Sequence, residues 1–146
     1  PEELEAAAAE CGIPVLSICA ALEAEMADLE PEDQPALLAE YGIEKPAGGA
    51  LTRAVLAIND IVPFFTVGED ECRAWAIPRG TAARSAAGRI HSDIERGFIR
   101  AEVIPFDTLA PLGGGLTEAR KLGLLRLEGK DYRVQDGDIV HFRFNV

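Results

Sequence analysis

The chain has 146 residues, enough for one domain or one and a half small ones, and 48% of them are hydrophobic. No apolar run approaches the roughly 18 residues that a membrane-spanning helix needs. The first residues also lack the basic and apolar regions of a signal peptide. We therefore expect a cytoplasmic protein with its own core and no contact with a membrane.

The charged residues are distributed unevenly. Residues 1–70 contain 15 acidic and 2 basic side chains, whereas residues 71–146 contain 10 acidic and 12 basic ones. The net charge of −11 thus combines a strongly acidic first half with a slightly basic second half. An acidic surface does not bind nucleic acid, whereas the second half can do so if its arginines share a face. The asymmetry predicts two regions with different surfaces.

The cysteines and histidines do not indicate a metal site. Cys11, Cys19 and Cys72 are 8 and 53 residues apart, which fits no zinc motif, and their odd number argues against a disulfide framework. His91 and His141 are 50 residues apart and have no cluster of ligands around them. We predict buried, reduced thiols and no metal ligand.

The first 60 residues predict helices around one short apolar segment. Residues 2–10 are rich in Glu and Ala and predict a helix that stops at Gly12. Residues 13–19 predict a strand buried on both faces, as in a parallel sheet, whose partners must lie outside this chain or in a second copy. Further helices are predicted from Ala21, from Pro31 to a C-cap at Gly42, and around Leu51, Val55 and Ile58 after a loop at 45–49.

The hydrophobic period changes near Ile61. Residues 64–67 and 73–77 predict two strands joined by a turn at 68–71. A helix then begins at Gly80-Thr81, with Thr81 as its N-cap, and it carries small residues that allow close approach to a sheet. Ile90 and Ile94 are four positions apart on this helix and should face the core.

The remaining elements complete a small mixed sheet. A third strand at 98–104 is followed by a break at 113–115 and a short helix at 117–122. Residues 125–127 and 132–134 predict a hairpin. The last strand alternates, with Val140, Phe142, Phe144 and Val146 on one face and His141, Arg143 and Asn145 on the other. One helix against such a sheet, with the last strand central, predicts an α+β fold of the β-grasp (ubiquitin-like) type.

Several segments of the second half resemble known proteins. Arg79-Gly80-Thr81, residues 90–94 and Gln135-Asp136-Gly137-Asp138-Ile139-Val140 resemble the TGS module. Longer runs at 73–81, 91–103 and 125–146 are similar to the YchF-type (Obg-like) ribosome-binding P-loop ATPases and GTPases in particular. This resemblance implies that residues 63–146 form a TGS domain with the β-grasp fold.

The resemblance extends upstream to a nucleotide-contacting loop. Residues 17–23, Ser-Ile-Cys-Ala-Ala-Leu-Glu, are similar to the last nucleotide-contacting motif of the family's G domain. The resemblance implies that Ile18, Cys19 and Ala20 lie beside the nucleotide base, largely through backbone groups. It also implies that residues 1–62 are the helical C-terminal end of a P-loop α/β G domain with its connecting helices.

The sequence contains no G-x-x-x-x-G-K-[ST] loop. The glycines at 113–115 precede Leu116-Thr117 without the required lysine, so they cannot cradle a phosphate. We therefore assign no catalytic residue and no cofactor to this chain, and we expect it to be inactive alone. For the parent protein the resemblance implies ATP or GTP with Mg²⁺.

Six arginines within 28 positions are candidates for contact with RNA or another partner. The guanidinium fork binds phosphate oxygens in pairs, which suits this role. The alternative is solvated charge with ion pairs to Asp93, Glu95 and Glu102. The candidates are Arg73, Arg79, Arg84, Arg89, Arg96 and Arg100.

Two other positions allow two interpretations each. His91 could act as a general base, but the sequence assigns no nucleophile beside it, and we favour hydrogen bonds from His91 and Asp93 that fix a helix end. Trp75 could stack on a base, but its position next to Ile77 on a strand face favours the core. His141 is interpreted as a half-exposed sheet residue.

Together these features predict the C-terminal part of a nucleotide-binding, ribosome-associated P-loop ATPase or GTPase. Its TGS module would be a surface that binds RNA, the ribosome or protein. The alternative is a TGS module from another multidomain protein, synthetase-like or stringent-response-like, without nucleotide hydrolysis.

Overall fold

The computed structural model describes residues 2–68, 71–113 and 115–145. The predictions that involve Glu69, Asp70, Gly114 and Val146 fall outside these residues. The chain divides into two compact units, Pro1–Ile58 and Asn59–Val146. Each unit is described by itself.

The first unit consists of four helices in its described part. They are α1 (Glu2–Glu10), α2 (Ala20–Ala27), α3 (Gln34–Glu40) and α4 (Ala47–Ile58). Leu22 and Met26 of α2 and Leu38 of α3 form a small buried core. Leu22 and Met26 are four positions apart, so they lie on the same face of α2, and that face packs against Leu38.

Two predicted boundaries in this unit are wrong. The helix predicted from Pro31 begins at Gln34, after a turn, and α4 begins at Ala47 inside the predicted loop. The side chain of Glu23 on α2 accepts a hydrogen bond from the Ala47 amide at 2.8 Å. This bond satisfies one of the free amides at the start of α4 and stabilises the helix from that residue onward.

The predicted strand at 13–19, whose partners were expected outside this chain or in a second copy, does not form within the described chain. These residues form neither helix nor strand, and Ile13 and Ile18 are 61% and 51% exposed. A strand needs a hydrogen-bonded neighbour, and none of the described residues supplies one. The apolar side chains Leu51, Val55 and Ile58 of α4 are likewise exposed by about half or more.

The second unit is a five-stranded mixed sheet in the order β2-β1-β5-β3-β4. The strands are β1 (Ile61–Val67), β2 (Cys72–Pro78), β3 (Phe98–Pro105), β4 (Arg126–Glu128) and β5 (Asp138–Phe144). β1 and β5 are parallel and the other neighbours are antiparallel. The predicted α+β fold with a central last strand is confirmed.

Helices lie on both faces of this sheet. α5 (Ala83–Ile90) buries Ala83, Ala86 and Ala87 completely against one face, where Phe64 and Phe142 meet edge to face with ring centroids 6.0 Å apart. α7 (Phe106–Leu109), a 3-10 turn at Ala110–Leu112 and α8 (Leu116–Lys121) follow β3. On the other face, Leu109 and Ala119 form a smaller core with Ile104 and Ile139.

Two local predictions for the second unit need correction. The N-cap of α5 is Ala82, because the Thr81 hydroxyl donates to the Pro78 carbonyl at 2.6 Å. The predicted single helix ends at Ile90, where His91 adopts an extended conformation, and α6 (Ser92–Arg96) follows. Ile90 and Ile94 nevertheless both pack against the core, as expected.

The predicted hairpin between 125–127 and 132–134 does not form. β4 pairs with β3 instead, and Arg133 makes a single bridge with Ala82. The turn itself is present, with the Tyr132 amide donating to the Gly129 carbonyl oxygen at 3.2 Å, but β4 joins the edge of the main sheet and does not pair with residues 132–134. All three cysteines, predicted to be buried, are exposed free thiols.

Candidate nucleic-acid interface

The six candidate arginines lie on separate parts of the second unit. Arg84 and Arg89 are on α5 and Arg96 is on α6, and these helices pack on one face of the sheet. Arg100 is on β3, where successive side chains point to opposite faces of the sheet. Because Ala101 and Val103 belong to the core under α5, Arg100 lies on the opposite face. Arg73 lies on the edge strand β2, and Arg79 follows that strand. The six do not form one continuous patch.

Four of these arginines contact partners among the described residues. Arg79 binds Asp60 with its Nε 2.9 Å from Oδ1, and Arg84 donates to the carbonyl oxygen of Glu95 at 3.1 Å. Arg96 pairs with Asp93 one turn away on α6. Arg73 binds Glu71 and lies 5.8 Å from the centre of the Trp75 ring.

Arg89 and Arg100 have no such partner within the described ranges, and both side chains are exposed. The two arginines lie on different sides of the sheet. Free guanidinium groups are therefore available on both faces of the second unit.

A buried carboxylate organises the arginines on the face that carries Arg100. Glu102 of β3 is only 4% exposed and accepts hydrogen bonds from Arg120 of α8, at 2.9 Å, and from Arg143 of β5. The side chains of Arg120 and Arg143 are 50% and 49% exposed. One buried negative charge thus holds two arginines whose other N–H groups face solvent.

The charge balance of this cluster sets the protonation of Glu102. Burial by itself would raise the pKa of the Glu102 carboxyl, but the hydrogen bonds and positive charges of Arg120 and Arg143 outweigh it and hold this pKa below its usual value. The carboxylate is therefore ionised at neutral pH, and both arginines remain fixed by it.

Arg120 and Arg143 were not among the sequence-predicted site residues. The alternation of the last strand already indicated that Arg143 and His141 share the face away from the main core. The sequence carried no signal that Arg120 would join them, because α8 reaches Glu102 only through the tertiary fold.

A second buried acid has a structural role. Asp138 is 2% exposed and accepts hydrogen bonds at 2.8 Å from the Tyr132 hydroxyl and from the Gln135 amide. Arg126 donates to the Tyr132 oxygen at 3.1 Å and lies over the Tyr132 ring. Burial, and then the hydrogen bond and charge of Asp138, raise the pKa of Tyr132 to about 12. This network ties the turn before β5 to β4.

In the first unit, the candidate base loop borders a cavity. Ile18 and Cys19 precede α2, and Cys19 occupies its N-cap position in an extended conformation. Both residues line a cavity of about 240 Å³ together with Glu23, Lys45 and Arg53. This arrangement could place backbone groups and two positive charges beside a small ligand. Ala20 is exposed as the first residue of α2.

The preferred interpretation of His91 and Asp93 agrees with the structure. The His91 Nδ1 atom accepts a hydrogen bond from the Asp93 amide at 3.1 Å, which caps the start of α6. Trp75 packs against the core at partial exposure and donates to the Thr66 hydroxyl at 3.0 Å. His141 is exposed on β5.

Across the described ranges, we find no cluster of three His, Cys, Asp or Glu side chains that could hold a metal ion. Within the same residues no helix has the length and apolar character needed to cross a bilayer.

Comparison with known proteins places these features in a family. The family model "YchF-GTPase_C: Protein of unknown function (DUF933)" matches residues 61–145. The chain is 47% identical over 132 residues to the "Ribosome-binding ATPase YchF" of Bacillus subtilis, covering 90% of this chain and 36% of the relative. It is 42% identical over 135 residues to "Obg-like ATPase 1" of Oryza sativa, covering 92% of this chain and 34% of that protein.

A solved structure has the same fold. The Schizosaccharomyces pombe YchF GTPase matches with a TM-score of 0.82 and 26% identity, over 97% of this chain and 38% of the other. The chain thus spans less than two fifths of the length of these three proteins. None of the three is a synthetase-like or stringent-response-like protein. The chain belongs to the YchF family of Obg-like GTPases and ATPases, and it corresponds to the C-terminal region of that family.

Proposed function

We propose that this chain is the C-terminal part of a cytoplasmic, ribosome-associated ATPase or GTPase and that residues 63–146 form its TGS-type binding module. The observation that carries this proposal is the similarity to relatives named ribosome-binding ATPases over 90% or more of the chain. In this assignment residues 1–62 are the end of the G domain and its connecting helices.

The module is a binding surface and has no catalytic role. Its exposed arginines on both faces, Arg89 and Arg100 among them, are suited to phosphate oxygens because each guanidinium presents several donors. The six arginines predicted from the sequence are proposed as contacts with ribosomal RNA or protein. Their ion pairs with Asp60, Glu71 and Asp93 are exposed, so a polyanion can compete for them at little cost.

Nucleotide binding is proposed for the parent protein. Ile18, Cys19 and Ala20 are proposed to wall its base, with the cavity beside them open to the ligand. The phosphate-binding loop and the Mg²⁺ ion would come from residues outside this chain, because no P-loop sequence is present in it. We expect no hydrolysis of ATP or GTP by the chain alone, and a rate above background would contradict this assignment.

Co-sedimentation with purified ribosomes tests the proposed association. The chain should pellet with ribosomes at low KCl and dissociate as the salt concentration rises, because phosphate contacts release counterions. The double variant Arg84→Glu/Arg89→Glu should dissociate at lower salt than the wild type. Lys130→Glu/Arg133→Glu makes the same charge change in the β4–β5 loop, whose Lys130 carbonyl oxygen accepts from the Arg84 amide at 3.3 Å, and a smaller effect of this pair would assign the contact to the α5 arginines. Failure of the wild type to pellet at low salt would overturn the proposal.

A further inference from the structure

We infer that Arg120 and Arg143, held by the buried Glu102, form with Arg100 a preorganised site for the phosphate groups of an RNA backbone. This inference rests on the proposed ribosome association and assigns a surface to it. Arg120 and Arg143 belong to neither the predicted arginine set nor the α5 side of the sheet.

The geometry of the cluster favours anion binding. Glu102 takes one N–H from Arg120 and one from Arg143, and each guanidinium has five N–H donors in a rigid fork. Because about half of each side chain is exposed, the remaining donors are accessible. The buried carboxylate also removes the rotamer freedom that a free arginine loses when it binds a ligand.

Around Glu102 this face carries three arginines, Arg100, Arg120 and Arg143, against one buried acid, while Asp107 of α7 lies beyond the Pro105 end of β3. Arg100 and Arg143 are direct cross-strand partners on β3 and β5, an arrangement of like charges that is unfavourable without an anion between them. Among the described residues of β3, β4 and β5, Glu102 is the only acid on this face, since Glu128 and Asp138 share the register of the α5 side. Glu118 on α8 is neutralised by Lys121 at 3.4 Å.

RNA fits this arrangement better than an acidic protein surface. A nucleic-acid strand presents a row of singly charged phosphates, each with two free oxygens that match a guanidinium fork. Arg100 and Arg143 are opposite each other on β3 and β5, and Arg120 of α8 binds the same Glu102 carboxylate as Arg143. Such contacts position a backbone and carry no base sequence information, so we expect little sequence preference.

The test measures the affinity of the 146-residue chain for a short fluorescein-labelled RNA hairpin by anisotropy over a KCl series. Arg120→Gln/Arg143→Gln should weaken binding at least about tenfold at low salt and lower the slope of log K against log[KCl] by about 2, since each phosphate contact contributes about 1. Lys130→Gln/Arg133→Gln removes the same charge from the β4–β5 loop and should change affinity much less.

The variant Glu102→Gln distinguishes binding by arginines that the carboxylate holds in place from binding by unspecific charge attraction. The variant makes the chain one unit more positive, so unspecific attraction would tighten binding. A site oriented by the carboxylate should instead bind more weakly, because Arg120 and Arg143 lose their common anchor. A circular dichroism melt of each variant establishes that it is folded at the temperature of the assay, and Arg100→Gln, on an exposed side chain, tests the same site without touching Glu102.

Three outcomes would overturn the inference. The first is that Arg120→Gln/Arg143→Gln and Lys130→Gln/Arg133→Gln lose the same amount of RNA affinity. The second is that folded Glu102→Gln binds RNA more tightly than the wild type. The third is that Arg100→Gln and Arg120→Gln/Arg143→Gln both bind RNA with wild-type affinity. If naked RNA does not bind but ribosomes still pellet the chain, the RNA site is wrong and the ribosome association stands. If ribosomes do not pellet the chain either, both fail.

Discussion

Asn145, after the last strand, donates its backbone amide to the carbonyl oxygen of Gly97 at 3.0 Å, and the two backbones approach so closely that no side chain fits at Gly97. A Cβ at this position would overlap the backbone oxygen of Asn145. Gly97 separates α6 from β3, so this contact ties the start of β3 to the end of β5.

Gly97→Ala should therefore destabilise the second unit. The neighbour is backbone and cannot rotate away, and we expect a loss of about 1–3 kcal/mol in the free energy of unfolding. Gly129→Ala is the matched control, because a Cβ there meets no atom within 4 Å. Urea denaturation followed by circular dichroism measures both, and similar stability of the two variants would contradict the close approach.

The stability contributed by Glu102 should depend on pH. The folded-state pKa of this carboxyl lies below its usual value, so its contribution is present above the unfolded pKa and is lost as the pH falls through the folded one. At pH 7, Glu102→Gln should lower the free energy of unfolding by about 1.5–3 kcal/mol, the range for hydrogen bonds to charged groups.

The difference between wild type and Glu102→Gln should shrink as the pH is lowered through the carboxyl range. Urea denaturation of both proteins at neutral and at acidic pH measures this directly. Because the other carboxyl groups are common to the two proteins, their titration cancels in the difference. A difference that stays constant with pH would mean that Glu102 is not the ionised anchor of Arg120 and Arg143.

Tyr132 should ionise at unusually high pH. Burial and the adjacent Asp138 raise its pKa to about 12, so its neutral form contributes stability that is complete below about pH 10, the ordinary tyrosine value, and is lost as the pH rises through 12. The sequence has two tyrosines, and Tyr41→Phe leaves Tyr132 alone for spectrophotometric titration. Asp138→Asn removes the negative charge and should move the ionisation back towards lower pH. Ionisation of Tyr132 near 10 in the Tyr41→Phe protein would refute the network.

Trp75 should contribute to stability and not to RNA binding. It packs against the core, hydrogen-bonds to Thr66 and has the Arg73 guanidinium 5.8 Å from its ring centre, so its ring is already engaged by contacts within the protein. Trp75→Ala should lower the free energy of unfolding by about 2–4 kcal/mol. This is less than for a fully buried tryptophan, because Trp75 is partly exposed. Urea denaturation measures the stability of this variant, and fluorescence anisotropy measures its affinity for RNA. Intact stability with lost affinity would instead support stacking.

The sequence alone predicted the elements whose signals are local. The alternation after Asp138 and the small residues of α5 depend on near neighbours, and a strand forms at Asp138–Phe144 and a helix at Ala83–Ile90. The hairpin at 125–134 does not form, and residues 13–19, whose partner strands were expected outside this chain, form no strand within it. A segment forms a β-strand only when a second strand pairs with it. The sequence of the segment does not reveal whether such a partner is present or which residues supply it.

For the candidate site, too, some features follow from the sequence and others depend on the tertiary structure. The sequence by itself determined a basic second half, six clustered arginines, a last strand with Arg143 on its outer face, and the resemblance that led to the family. Only the tertiary structure decided which arginines act together. Arg120 and Arg143 are 18 and 41 positions from Glu102 and meet at its carboxylate because α8 and β5 both pack beside β3. Burial in that packed layer turns an ordinary glutamate into an anchor, since a buried charge must be paired, whereas the candidates on α5 and α6 remain at the surface among solvated ion pairs.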